Sequence, residues 1–378
     1  MKKNNKNFKV NLKNNTNPPR KTLSFYLSYI IPIFLGLFIV FKIFFVHFFV
    51  NNKQENSYVA MRSKKKKLLI VHDYLWYKKQ NKYLHGGSLM PVSFMSKINE
   101  KDTENTLKRN GWLYTCPNAK ATVLVCHGFM TSKDDMAFLR HILSDCNVLT
   151  FDFRAHGESN PSQCCTLGND ERIDVVSAVN YIRSNKKINN VPLIVYGFSM
   201  GAVASIMAQS DAEKKEESLF DGAIWDCPFE SSEQLVSRAF SNIKMTICGF
   251  NFMIPGVNFF KRYVYHPVIQ SIFKFILKHF ARKDTTQIDT FMRPISPNEA
   301  ISQITIPLFL IGCHNDEKAP PSAILNLYNN AVKSSYRRLW ISSGRHHFDS
   351  FFVNPEKYVY KMKIIIQLNY FLFKHFNT

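Results

Sequence analysis

The stretch VPLIVYGFSMGAVASIMAQ, residues 191–209, sets one serine, Ser199, between Gly197 and Gly201. A serine hydroxyl attacks a carbonyl when it projects from a rigid support toward a base, and a turn tight enough to do this admits only small neighbours. The two glycines provide that room. The apolar run before them reads as a strand and the alanine-rich run after them as a helix. A helix starting at Met200 aims free amides and the positive end of its dipole at the reacting atoms. The same residues also fit a plain strand-to-helix turn without chemistry. The nucleophile reading therefore requires a base, an acid and a second oxyanion donor elsewhere in the chain.

The donor is offered by ATVLVCHGFMTS, residues 121–132, where an apolar strand ends in His127-Gly128. The next residue, Phe129, can turn its backbone N–H toward a developing oxyanion beside that of Met200. His127 reads as a brace for this loop rather than as a base. LHGGS, residues 84–88, repeats the His-Gly pair but follows no apolar strand and reads as linker. Eight cysteines, at 116, 126, 146, 164, 165, 227, 248 and 313, contain no C-x-x-C pair, so neither a metal nor another cofactor is expected. Cys126, Cys227 and Cys313 end apolar runs as small hydrophobes, and Cys164-Cys165 reads as two loop thiols. That placement fits a reduced, cytosol-facing domain.

These candidates need a scaffold, and the hydrophobic periodicity supplies one. Short apolar runs predict strands at 91–96, 111–115, 121–126, 147–152, 192–196, 222–226, 306–312 and 337–342. Helical patterns fall at 134–144, 170–184, 200–210, 322–332 and about 355–374. Strands alternating with helices imply an α/β fold, a mainly parallel sheet covered on both faces. Ser199 then stands where strand turns into helix, as a nucleophile requires.

At this point the chain resembles the alpha/beta hydrolases. The resemblance spans about residues 91–375 and rests on CHGFMTS, FDFRAHGESN, YGFSMGA, WDCPFESS, PLFLIGCHNDEKAP and RHHFDSFFVNPEKY. It is nearest to membrane-anchored, serine aminopeptidase-like members. The resemblance implies an eight-stranded sheet with a helical lid inserted after the sixth strand, here about residues 231–296. It implies a cofactor-free triad in the chain order nucleophile, acid, histidine. The acid implied is Asp316, with Pro320 at the family's spacing and Cys313 where these proteins usually have glycine. Glu317 is a poorer candidate, and Asp226, at the end of the sixth strand, is the alternative. For the base, Ser350, Asn354-Pro355 and Tyr358 stand at the family's spacing from His347 rather than from His346, which is left as a solvent-facing loop residue. His156, in the D-x-R-x-H-G-x-S segment, is implied to be structural. The implied activity is hydrolysis of an ester or thioester, the substrate being a small molecule or acyl group; a serine peptidase and a noncatalytic hydrolase-fold binding protein are the alternatives.

Charge is placed unevenly. Of a formal net charge of +21, residues 1–67 carry 14 Lys/Arg against Glu55 alone, which points to a membrane surface and away from nucleic acid as the partner. Residues 1–23 read as a basic, Asn-rich disordered arm. Residues 24–50, SFYLSYIIPIFLGLFIVFKIFFVHFFV, exceed the roughly 20 apolar residues that span a bilayer and end without a small-residue cleavage site, so an uncleaved single-pass anchor is expected. The 15 residues on either side carry four Lys/Arg each, so charge leaves the orientation open. Residues 51–90 form a connector whose KKKK run at 64–67 suits anionic head groups, and residues 91–378 form the hydrolase domain.

Overall fold

Alternation sets the register at one edge of the sheet. β1 (Ser88–Lys97) pairs antiparallel with β2 (Thr106–Thr115), from Ser88 opposite Thr115 to Lys97 opposite Thr106. The inner strands instead read as near-continuous apolar runs, because helices cover both of their faces. β3 (Thr122–Cys126), β4 (Asn147–Phe151), β5 (Leu193–Phe198), β6 (Gly222–Asp226) and β9 (Leu308–Cys313) are buried at every position. With β10 (Arg337–Ser342) they make an eight-stranded sheet in the order β1-β2-β4-β3-β5-β6-β9-β10. From β4 onward every pairing is parallel; β2 runs antiparallel to both its neighbours. In this computed structural model the described residues are 87–100, 105–159, 163–241, 244–247, 250–253, 263, 265–271 and 291–376.

The helices are α1 (Phe138–Ile142), α2 (Glu171–Ser184), α3 (Met200–Glu213), α4 (Ser232–Ser241), α5 (Pro297–Ala300), α6 (Pro321–Asn330), α7 (Asp349–Val353) and α8 (Pro355–Phe376). A buried ionic hub ties α2 to the antiparallel edge. Asp174 accepts from Arg154 Nε at 3.1 Å and from Ser96 Oγ at 2.6 Å, and lies 3.0 Å from Arg109. Burial alone would raise the Asp174 carboxyl, but the two guanidinium charges outweigh it and hold it below the usual range.

All eight expected strands are present. The sheet begins at Ser88 rather than 91, because pairing with Thr115, Tyr114 and Leu113 of β2 carries Ser88, Leu89 and Met90 into the ladder. The 231–296 insertion was expected to be helical; its described residues include α4 but also an antiparallel hairpin, β7 (Lys244–Ile247) with β8 (Phe250–Met253). Among the described residues no helix is long and apolar enough to cross a membrane. The arm at 1–23, the span at 24–50 and the connector as far as residue 86 lie outside the described residues.

What matters for chemistry is direction. The parallel strands deliver His127 after β3, Ser199 after β5, Asp226 at the end of β6, Asp316 after β9 and His347 after β10 to one rim, the rim at which open α/β sheets hold their ligands.

Candidate active site

Ser199 takes φ 50 and ψ −112, a left-handed conformation rare for a residue with a Cβ. Two bonds hold it there. Its amide donates to the Asp226 carbonyl at 2.8 Å, and its own carbonyl accepts from Val203 at 3.0 Å, the first turn of α3. Close approach explains the flanking glycines. A Cβ on Gly201 would lie 2.1 Å from the Cys126 carbonyl oxygen, and one on Gly197 would lie 2.5 Å from Ala202 Cα. The start of α3 is therefore pressed against the end of β3, which brings the nucleophile turn and the His127–Met130 loop together.

Ser199 Oγ lies 2.8 Å from His347 Nε2, and His347 Nδ1 lies 2.6 Å from Asp316 Oδ2. The other carboxylate oxygen of Asp316 accepts from the amides of Lys318 at 2.8 Å and Ala319 at 3.0 Å. Burial pushes the Asp316 carboxyl up, but the charge and hydrogen bond of His347 and these two amides outweigh it, leaving the group below its ordinary value and ionised. An ionised acceptor on Nδ1 keeps the proton there and leaves Nε2 free to accept from the serine hydroxyl.

Local geometry separates the two histidines. Phe348 adopts φ 76, and the Asp349 carboxylate accepts from the amides of Arg345 at 3.1 Å and His346 at 3.0 Å, closing a tight loop ahead of α7. That loop turns His347 toward Ser199, with the Phe198 ring 5.2 Å from its imidazole. His346 joins the loop through its backbone and is half-buried rather than solvent-facing. Ser350 does structural work: its hydroxyl bonds Ser342 at 2.9 Å and Cys313 Sγ at 3.2 Å, so Cys313 fills the place where a glycine was anticipated.

Asp226 proves to be something other than a partner of His347. Its carboxylate accepts from Tyr358 at 2.7 Å, and the Tyr358 and Tyr196 hydroxyls are 2.8 Å apart. Burial raises this carboxyl to about 6 against the opposing effect of the Tyr358 hydrogen bond. Tyr358 thus joins α8 to the strand whose carbonyl holds Ser199, a role that its spacing from His347 did not reveal.

The loop after β3 is braced by two imidazoles. His127 Nε2 accepts from Phe153 at 3.0 Å with Nδ1 on the Gly128 carbonyl, and His156 Nε2 accepts from Met130 at 3.2 Å with Nδ1 on the Arg154 carbonyl. Both must be neutral, since an imidazolium has no acceptor nitrogen. Burial provides for this, lowering His127 to about 4 and, with His127 adding to the effect, His156 to about 3. Met130, held by His156, has φ 62. Among the described residues the Phe129 and Met200 amides have no acceptor, the condition required of two oxyanion donors.

Metal-ligand spacing occurs once among the described residues, where ligand atoms of Cys227, Asp316 and His347 lie within 4.8 Å of one another. Asp316 and His347 are already bonded to each other, and the hydrogen bond to Cys313 together with burial holds the Cys227 thiol well above its ordinary value, hence protonated. The chemistry of this donor set favours a proton over a metal.

A family model described as alpha/beta hydrolase fold matches residues 121–241, from the start of β3 to the end of α4. Solved structures of similar architecture include the esterase Pf2001 of Pyrococcus furiosus, at 21% identity and a TM-score of 0.53, covering 76% of this chain and 94% of that one. DcsB in complex with its substrate analogue is similar at 17% identity and a TM-score of 0.51, covering 75% and 99% of the two chains. The alpha/beta hydrolase GrgF from Penicillium sp. sh18 is similar at 15% identity and a TM-score of 0.50, with coverage of 75% and 99%. No curated protein matches the chain. Strand order, nucleophile turn and these likenesses agree: the chain has the alpha/beta hydrolase fold.

The two carboxylates respond differently to neutralisation. Asp316→Asn removes the ionised acceptor on Nδ1 and should lower turnover by about 10³ to 10⁴. Asp226→Asn still accepts from Tyr358 and should keep turnover within about tenfold, the loss being that of one altered hydrogen bond. Because the folded-state pKa of Asp226 is raised to about 6, the unfolded chain loses this proton first as pH rises. Asp226 therefore subtracts stability progressively toward pH 6, and Asp226→Asn should flatten that part of the stability-versus-pH curve. Turnover and thermal unfolding from pH 4 to 8 measure both. A dead, folded Asp226→Asn would move the acid to β6.

Proposed function

We propose that this chain is a membrane-anchored serine hydrolase of the alpha/beta hydrolase superfamily that cleaves an ester or thioester of an acyl, lipid-like substrate. The observation that carries the reading is the continuous relay from Ser199 Oγ through the His347 ring to Asp316, 2.8 Å and 2.6 Å long, on a strained turn. His347 takes the hydroxyl proton at Nε2 as Ser199 attacks the carbonyl carbon, and Asp316 stabilises the imidazolium that forms. The amides of Phe129 and Met200 receive the charge on the carbonyl oxygen. The tetrahedral intermediate collapses as His347 returns the proton to the leaving alcohol or thiol. Water, deprotonated by the same nitrogen, then releases the acid and frees Ser199. No cofactor enters these steps.

The choice of an ester draws support from the esterase of Pyrococcus furiosus among the similar structures. An acyl substrate is favoured by the 231–296 insertion, whose sequence FSNIKMTICGFNFMIPGVNFFKRYVYHPVIQSIFKFILKHF is dense in aromatic and aliphatic residues, as the wall of an acyl site would be. The anchor reading rests on the 27-residue run at 24–50 and on the basic arm and connector around it, and it makes the bilayer a partner of the chain.

One set of assays tests both parts. The full-length protein should hydrolyse medium-chain acyl esters or thioesters faster than aminoacyl amides, and Ser199→Ala should abolish turnover while the unfolding transition is kept. Faster amide cleavage that needs Ser199 would make it a peptidase, and activity unaffected by Ser199→Ala would remove the enzyme assignment. N-terminal sequencing of membrane-extracted protein should find the chain intact. Loss of residues 1–50 would contradict the anchor.

A further inference from the structure

β10 is the last strand of the sheet, and Trp340, on the same pleat face as Arg338, turns toward α8, with Tyr336 just ahead of the strand. Three cations gather there. Lys357 and Lys361, one helical turn apart on α8, hold their ammonium groups 5.9 Å and 5.7 Å from the Trp340 ring. The Arg338 guanidinium lies 5.6 Å from the Tyr336 ring, with Nε donating to its hydroxyl. The three charges feel one another: partial burial first, and then the charges of Lys357 and Arg338, push the Lys361 ammonium below its ordinary value.

A solvated basic surface normally intersperses acids. Among the described residues no carboxylate forms an ion pair with Arg338, Lys357 or Lys361. Glu356, exposed one turn before Tyr360 on the same side of the helix, forms no ion pair with any of the three. On the same side of α8 two aromatic rings stand in solvent, Tyr360 at 67% and Phe371 at 56% exposure, eleven residues and so three turns apart. The opposite side of the helix is core, with Tyr358, Met362, Ile365 and Ile366 buried. α8 therefore has one face committed to the fold and one face that is cationic and aromatic.

We propose that this face of the catalytic domain, Arg338, Trp340, Lys357, Tyr360, Lys361 and Phe371, seats on an anionic phospholipid surface. Charge complementarity selects the lipid: three uncompensated cations meet phosphate and carboxylate head groups, which attract Lys and Arg held near the surface. The exposed rings select a bilayer over a purely polyanionic partner, because tyrosine and phenylalanine beside snorkelling lysines belong at the head-group level. This contact is independent of the Ser199 relay, and it is separate from the apolar run at 24–50, which would tether the domain without orienting it.

The test uses the full chain in lipid nanodiscs, with amine acetylation read at each lysine by mass spectrometry. Lys357 and Lys361 should be acetylated severalfold more slowly in discs containing phosphatidylserine than in pure phosphatidylcholine discs, while Lys186 and Lys187, exposed after α2, react equally in both. The difference should vanish in about 1 M salt, where the Debye length is about 3 Å. It should also shrink in Arg338→Glu, whose Lys357 and Lys361 remain readable. Equal rates in the two lipids would overturn the proposal, whether the lysines are open in both or covered in both. Protection in lipid-free detergent that grows with protein concentration would assign the face to a second copy instead.

Discussion

The site is organised around a backbone that would not adopt its conformation alone. A serine at φ 50 is strained on the order of 1–3 kcal/mol and persists only where the surroundings over-determine it. Here the restraints come from three sides. The Asp226 carbonyl holds the Ser199 amide, α3 begins on the Ser199 carbonyl, and the end of β3 stands so close to Gly201 that no side chain fits. Relaxing any of them would swing the hydroxyl off the 2.8 Å line to His347. The glycines, the order of β3, β5 and β6 and the buried core thus act together on the placement of one oxygen.

The charges around that oxygen are sorted by burial and pairing. Asp316 remains ionised because three donors face it, whereas burial pushes Asp226, whose Oδ1 lacks a partner among the described residues, up to about 6. His127 and His156 are lowered far enough to stay neutral and to brace the amide loop. The environments of these four acids and bases thus give each a separate task. Imidazoles lowered below their ordinary 6.5 contribute stability above that value, and it is lost as pH falls and the unfolded chain takes up protons first.

What the sequence discloses is what local rules govern. The strands and the turn at Ser199 follow from apolar runs and glycines, whereas Asp316 and His347 are implied by the resemblance to the alpha/beta hydrolases, through spacings that lie within single loops. Contacts between distant segments leave no such trace. Tyr196 and Tyr358 are 162 positions apart, and nothing near either marks the hydroxyl pair that receives Asp226. The hold of His156 on Met130 crosses from the loop after β4 to the loop after β3. Pairing carried β1 back to Ser88 through three residues, Ser88 to Met90, that adjoin the polar connector. In the 231–296 insertion, aromatic density without a clear period hid the β7–β8 hairpin.

The proposed chemistry turns on Ser199 being the activated nucleophile of the relay. Treating the full-length protein with a fluorophosphonate and locating the adduct by tandem mass spectrometry tests it most directly, because phosphonylation requires a serine activated by its base. A single adduct on Ser199, formed at least about 10³-fold more slowly in His347→Ala and at nearly the native rate in His346→Ala, is the predicted result. An adduct on another residue, or labelling of Ser199 that does not depend on His347, would contradict it.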